Sequence, residues 1–143
     1  MTVKNQKEFI NKMKKRLGPE AEQKIRKSLT RAVLLVDGRV KESIASDSKT
    51  GETYQKYNPR RSHTASAPGE PPATDTGFLI SSISNTVDVE AGDLVGKIIV
   101  SAPYAASLEF GTLNMAPRPY LQPALNENAE KINEIFKTEG LIK

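Results

Sequence analysis

The chain has no cysteine, and a single histidine stands among its 143 residues. The absence of thiols excludes disulfide staples, thiolate metal sites and cysteine nucleophiles, and fits a reducing compartment. Aromatic residues are scarce, at 6% against 37% hydrophobic residues overall, so a core must be built from aliphatic side chains. No apolar run approaches the roughly 20 residues that span a bilayer, and the N-terminus lacks a signal-peptide pattern. A soluble protein made in a cytoplasm, with no membrane contact, is expected.

Catalytic constellations are missing too. His63 lies among Ser, Thr and Arg with no carboxylate near it in sequence, the setting of an exposed loop histidine and not of a general base. With one histidine and no thiol, a metal would need a cage of carboxylates, and no Asp/Glu spacing resembles one. Glycine-rich phosphate cradles are absent. Nothing in the sequence brings Glu70, Asp75 and Glu109 together as an acid and base pair. No enzymatic activity, metal or cofactor is expected.

What the chain does have is positive charge and proline. Net charge is +4, and ten lysines and arginines fall between Lys4 and Arg31. Such a run is the solvated face of a helix or a contact for DNA phosphates, and both readings stay open. Phe9, Ile10, Met13 and Leu17 recur at helical spacing over 5–17, and Gly18-Pro19 ends that helix. Pro19 suits the first turn of a second helix, where Glu20 and Glu22 meet the positive end of its dipole. Its stripe of Ala21, Ile25, Leu29, Ala32, Val33, Val36, Val40 and Ile44 runs to about Ser46, long enough to scaffold the fold. Gly38 falls inside the stripe and predicts a bend or a close crossing.

Residues 47–75 lose the apolar period and read as a long loop. Its first half interleaves Lys49, Lys56, Arg60, Arg61 and His63 with Tyr54 and Tyr57, and those four cations are the candidates for facing DNA. Its second half, Pro68, Gly69, Glu70, Pro71 and Pro72 with their neighbours, is stiffened by proline and reads as an extended arm suited to lying along a neighbouring subunit. Asp75 or Thr76 caps a short helix carrying Leu79, Ile80 and Ile83. Alternation over 85–90 and β-branched residues over 94–102 predict a hairpin closed by Ala91-Gly92-Asp93.

The organising stretch runs from Tyr104 to Leu125. Tyr104 and Phe110 are aromatic anchors, Gly111 breaks the local structure, and Pro117, Pro119 and Pro123 stiffen the chain beyond it into a bracket. Glu109, between Leu108 and Phe110, reaches Arg118 or backbone amides of the bracket, or else bridges to another subunit. Leu125, Ala129, Ile132, Ile135 and Phe136 predict a final helix from about Pro123 to Gly140.

Three separated motifs carry a family resemblance. They are Ala67-Pro68-Gly69-Glu70-Pro71-Pro72-Ala73 with Asp75-Thr76-Gly77, Leu79 and Ile83, then Tyr104-Ala105 with Glu109-Phe110-Gly111-Thr112, then Arg118-Pro119-Tyr120-Leu121 with Pro123-Ala124-Leu125. In this order they resemble the small neck or tail-completion proteins, also described as head-tail joining or minor tail components, of tailed double-stranded DNA bacteriophages and prophages. The resemblance implies a single α+β domain over 1–143, with a helical 1–46, an extended arm at 47–75 and a C-terminal part at 76–143. In that fold a long N-terminal helix and a C-terminal helix pack on a small antiparallel β-sheet beside a long Pro-rich loop. It also implies a virion protein of the head-to-tail junction whose copies form a ring, expected to be hexameric, around the DNA channel. Implied partners are head-completion or connector proteins, a tail terminator or tail tube protein, and genomic DNA in the lumen. Expected interface residues are Pro68, Gly69, Glu70, Pro71, Pro72, Tyr104, Glu109, Phe110, Arg118 and Tyr120. Two rivals stay open, a tail terminator and a stand-alone nucleic-acid-binding protein.

Overall fold

The computed structural model describes residues 12, 15 and 18–142. The helix expected over 5–17 lies outside the described residues except for Lys12 and Lys15, and four of the ten cations of the N-terminal basic run lie outside them with it. The architecture is α+β, with one long helix, two antiparallel two-stranded sheets and C-terminal helices. Two compact units are present. Of the described residues, those up to Leu34, Asn85–Lys97 and those from Glu130 on form the first, and Leu35–Ser84 with Ile98–Ala129 the second.

Helix α1, Pro19–Ala45, follows its apolar stripe closely. Ala21, Ala32, Val33, Val36, Val40 and Ile44 are all buried, as one face of a 3.6-residue period requires. The bend or close crossing expected at Gly38 is corrected: that residue is exposed and helical, and nothing lies within 4 Å of where its Cβ would stand. Gly38→Ala should therefore raise unfolding stability by about 1 kcal/mol, readable from the urea midpoint, because only the helix-propensity term changes. The close approach is elsewhere, at Gly96, where a Cβ would come within 2.4 Å of Val33 Cγ2 and 3.2 Å of Leu29.

Strands β3, Ile83–Glu90, and β4, Asp93–Val100, form the second sheet. Ala91 (φ 49°) and Gly92 (φ 88°) join them, both left-handed as a two-residue hairpin turn of this kind demands. In the first unit Gly96 brings β4 against α1, and Arg31 Nη1 lies 3.0 Å from Glu139 Oε1. Arg26 donates to the Val87 carbonyl at 3.2 Å, so part of the basic run serves the unit's own packing.

Residues 47–75 differ most from expectation. The first half is a β-hairpin, β1 Thr53–Tyr57 and β2 Arg60–Thr64, turning at Asn58-Pro59. Its strands are polar on both faces and carry no apolar alternation, the signal on which a strand assignment rests. Helix α2 is short, Phe78–Ser81. The cap expected from Asp75 or Thr76 is corrected in part: Gly77 occupies the capping position at φ 77°, and Thr76 Oγ1, one residue earlier, accepts the Phe78 N–H at 3.4 Å, while Asp75 makes no bond to the helix. The single C-terminal helix is also corrected. It is two helices, α4 Leu121–Glu127 and α5 Ala129–Thr138. Asn128 separates them, buried, with its Nδ2 donating to the Ala124 carbonyl at 2.8 Å, a side-chain bond that competes with helical continuation.

Candidate assembly surface

Glu109 is the pivot of the second unit. It lies in helix α3, Ala105–Phe110, and is buried there. Its Oε2 accepts the backbone N–H of Tyr120 at 2.9 Å and of Leu121 at 3.0 Å, and its Oε1 that of Gln122 at 2.9 Å. Those amides open α4, which has no side-chain cap of its own. Pro123, next in line, has no N–H to leave unpaired. Of the readings open for Glu109, the structure shows the backbone-amide one. Tyr120 is pinned beneath it at 1% exposure, and burial followed by the Glu109 charge pushes its phenol up to about 12.

The bracket and the proline arm hold each other. Gly69 N–H donates to the Pro117 carbonyl at 2.9 Å, Arg118 N–H to Leu108 at 2.7 Å, and Arg118 Nε to the Ser66 carbonyl at 3.2 Å. Glu70 closes the arm on itself, accepting from the hydroxyl and N–H of Thr50 and from the N–H of Ala67. These bonds, the Thr50 hydroxyl first, hold its carboxyl down at about 2, from an ordinary 4.5. A carboxyl so depressed contributes stability that is complete above pH 4.5 and is lost as pH falls towards 2. Smaller protection of the Ala67 and Gly69 amides, measured against their intrinsic exchange rates at each pH, is expected across that window, and Glu70→Gln should remove the pH dependence of that protection.

The arm is therefore laid along its own chain, with Pro72 buried. Of the expected interface residues, Pro72, Glu109 and Tyr120 are enclosed and present no surface, and the Glu70 carboxylate is occupied internally. Pro68, Gly69, Tyr104 and Phe110 are exposed, and Pro71 and Arg118 partly so.

A clamp that sequence reasoning missed supports the same region. Arg39 pairs bidentately with Asp47, both bonds 3.0 Å, and its Nε donates to Glu127 Oε2 at 2.7 Å. Its hydrogen bonds to Asp47 and Glu127 raise the guanidinium above its ordinary value, and the same bond to Asp47 lowers that carboxyl. Arg39 and Asp47 lie eight residues apart across the end of α1 and Glu127 is 88 residues from Arg39, and the three belong to no shared motif, so nothing in the linear pattern points to them.

Large apolar side chains are exposed on several elements, Leu34, Val89, Ile99 and Leu125 among them, and two of the three most exposed, Phe110 and Leu113, stand three residues apart. Phe110 is 79% exposed, and Leu113 stands fully exposed on a small turn closed by the Thr112–Met115 bridge. Phe78 and Tyr104, also exposed, are tilted against each other with ring centres 6.2 Å apart. Beside them opens a cleft of about 280 Å³ whose lining includes Pro72, Leu79, Leu108 and Arg118.

The four cations expected to face DNA part company. Lys49 Nζ donates to the Ser43 carbonyl at 2.7 Å, closing the last turn of α1, and burial lowers its pKa. Lys56 and Arg61 both pair with Asp75, whose carboxyl is held below the usual range chiefly by Lys56. Arg60 has no ion-pair partner among the described residues. No group of acids and histidines that could hold a metal occurs among the described residues, and no described helix is long and apolar enough to cross a membrane. No family model matches the chain, and comparison with curated proteins and with solved structures finds no match.

Proposed function

We propose that the protein is a virion structural subunit of the head-to-tail junction, assembling with its own copies into a ring, hexameric by the family resemblance, that links the portal connector to the tail tube around the DNA. Its work is geometric and no reaction is catalysed. The observation that carries this reading is the pair Phe110 and Leu113, two large apolar side chains left in solvent at the end of α3 and on the turn that follows it, beside the chain that Glu109 and the prolines fix. Exposed aromatic and aliphatic anchors on a rigid base lose little freedom on docking and are typical centres of protein contacts. A patch of this kind meeting a different patch on the next copy makes a head-to-tail contact, which closes into a ring when the rotation allows. The tail-terminator reading uses the same surface in an adjacent layer of the particle.

The arm is a poor place to test assembly, since Ser66, Gly69 and Glu70 bond within their own chain. Phe110→Ser with Leu113→Ser is cleaner, because neither side chain supports the core. Sedimentation velocity should show closed oligomers for the native chain and folded monomers for the double variant. Oligomers of undiminished size in the variant would remove this surface from the assembly.

A further inference from the structure

We infer that the β1–β2 hairpin contacts the phosphate backbone of duplex DNA through one of its two faces. The inference deepens the DNA-channel part of the proposed function and rests on that reading for the choice of duplex DNA as occupant. The register Thr53↔Thr64, Gln55↔Ser62 and Tyr57↔Arg60 puts these six side chains on one face, and Tyr54, Lys56, Arg61 and His63 on the other.

The two faces differ in charge balance. On the second, Lys56 and Arg61 are spent on Asp75, and the Tyr54 hydroxyl donates to Glu52 at 2.7 Å. The first face carries no acidic side chain, and between strands 53–57 and 60–64 the charged residues are Lys56, Arg60 and Arg61 alone. Tyr57, 80% exposed, stands opposite Arg60 near the tip. Several other cations meet carboxylates, Lys27 and Arg31 at Glu139, Arg39 at Asp47 and Glu127, and Lys97 at Glu90, whereas Lys24, Lys131 and Lys137 on the helices make no ion pair among the described residues either.

The chemistry of the free face is that of phosphate contact. Arginine offers a bidentate fork to phosphate oxygens, and the Thr, Ser, Gln and Tyr side chains around it are the neutral donors that fix a protein on the DNA backbone without reading sequence. A two-stranded ribbon is also of a size that the major groove admits. One arginine gives modest affinity per copy, and several copies around one duplex add through effective concentration.

The test is a titration of the 15N-labelled protein with a short duplex DNA at low salt, followed by amide chemical shifts. Shifts are expected within 53–64. Arg60→Ser should weaken binding about tenfold, the loss of one charge-assisted hydrogen bond, and flatten the dependence of log K on log salt by about 0.9. Tyr57→Ser should weaken it in the same direction. Both residues are exposed on the hairpin, so folding is unaffected. Shifts centred on α1, or an unchanged salt slope in Arg60→Ser, would overturn the inference, as would single-stranded DNA or anionic phospholipid vesicles binding as tightly as the duplex. Retention of the hairpin shifts by the Phe110→Ser, Leu113→Ser protein supports it independently. A native chain that stays monomeric while binding DNA through the hairpin sinks the ring and leaves this contact standing.

Discussion

Replacing Glu109 with alanine is expected to lower the free energy of unfolding by about 3–5 kcal/mol. Three backbone donors, at Tyr120, Leu121 and Gln122, lose their acceptor at once. Each unsatisfied buried donor costs about 1–3 kcal/mol, and water entering the space recovers part of that for the two that are half-buried. Glu109→Gln is expected to cost about half as much, because one oxygen remains while the new amide points its own N–H groups at donors. Urea unfolding of both variants checks the order. If alanine and glutamine cost the same small amount, the carboxylate is not the cap of α4. Tyr120, packed under the same cap, should gain solvent in the alanine variant. Its phenol would then titrate below the present value of about 12, measurable by ultraviolet absorbance.

Much of the fold was legible because it rests on periodicity. The α1 stripe and the Ala91-Gly92 hairpin are each set by spacing alone, and the structure places them within two residues of where the pattern does. What escaped was set by side chains acting at a distance or by the absence of a core. The β1–β2 hairpin buries little, so no alternation marks it, and its registry is read only from cross-strand pairs such as Thr53 and Thr64, whose hydroxyls meet at 3.0 Å. Asp75 looks like a helix cap locally, and it is drawn away by Lys56 and Arg61, charges that sequence alone does not bring near. Gly38 and Gly96 exchange roles for a similar reason. A glycine in a stripe suggests a crossing, but the crossing belongs to whichever glycine faces the partner element, and that depends on packing. Within the candidate surface, Glu109 stood out as an acid between two apolar residues, whereas Leu113 gave no signal beyond its hydrophobicity. The Arg39 clamp gave none.

Gly111→Ala is expected to be as damaging as the loss of Glu109, on the order of 3 kcal/mol or more, through a different cause. Gly111 ends α3 at φ 76°, ψ −179°, a region essentially reserved for glycine, which alone costs another residue about 1–3 kcal/mol. A Cβ there would also stand 2.8 Å from the Met115 carbonyl oxygen and 2.9 Å from Pro117 Cδ. Neither obstacle can rotate away, since one is backbone and the other a closed ring. Gly96 provides the contrast. Its obstacle is the Val33 side chain, so Val33→Ala should recover part of the loss in Gly96→Ala, whereas no side-chain truncation should rescue Gly111→Ala. The same substitution reaches assembly, because Met115 and Pro117 hold the turn that carries Leu113 and receive Thr112 and Gly69 through their carbonyls. A Gly111→Ala chain that remains folded at low temperature should form fewer closed oligomers than the native chain. One that matches the native chain in both stability and oligomer yield would mean that the turn is not braced, and Phe110 and Leu113 would then lose the preset geometry on which their docking depends.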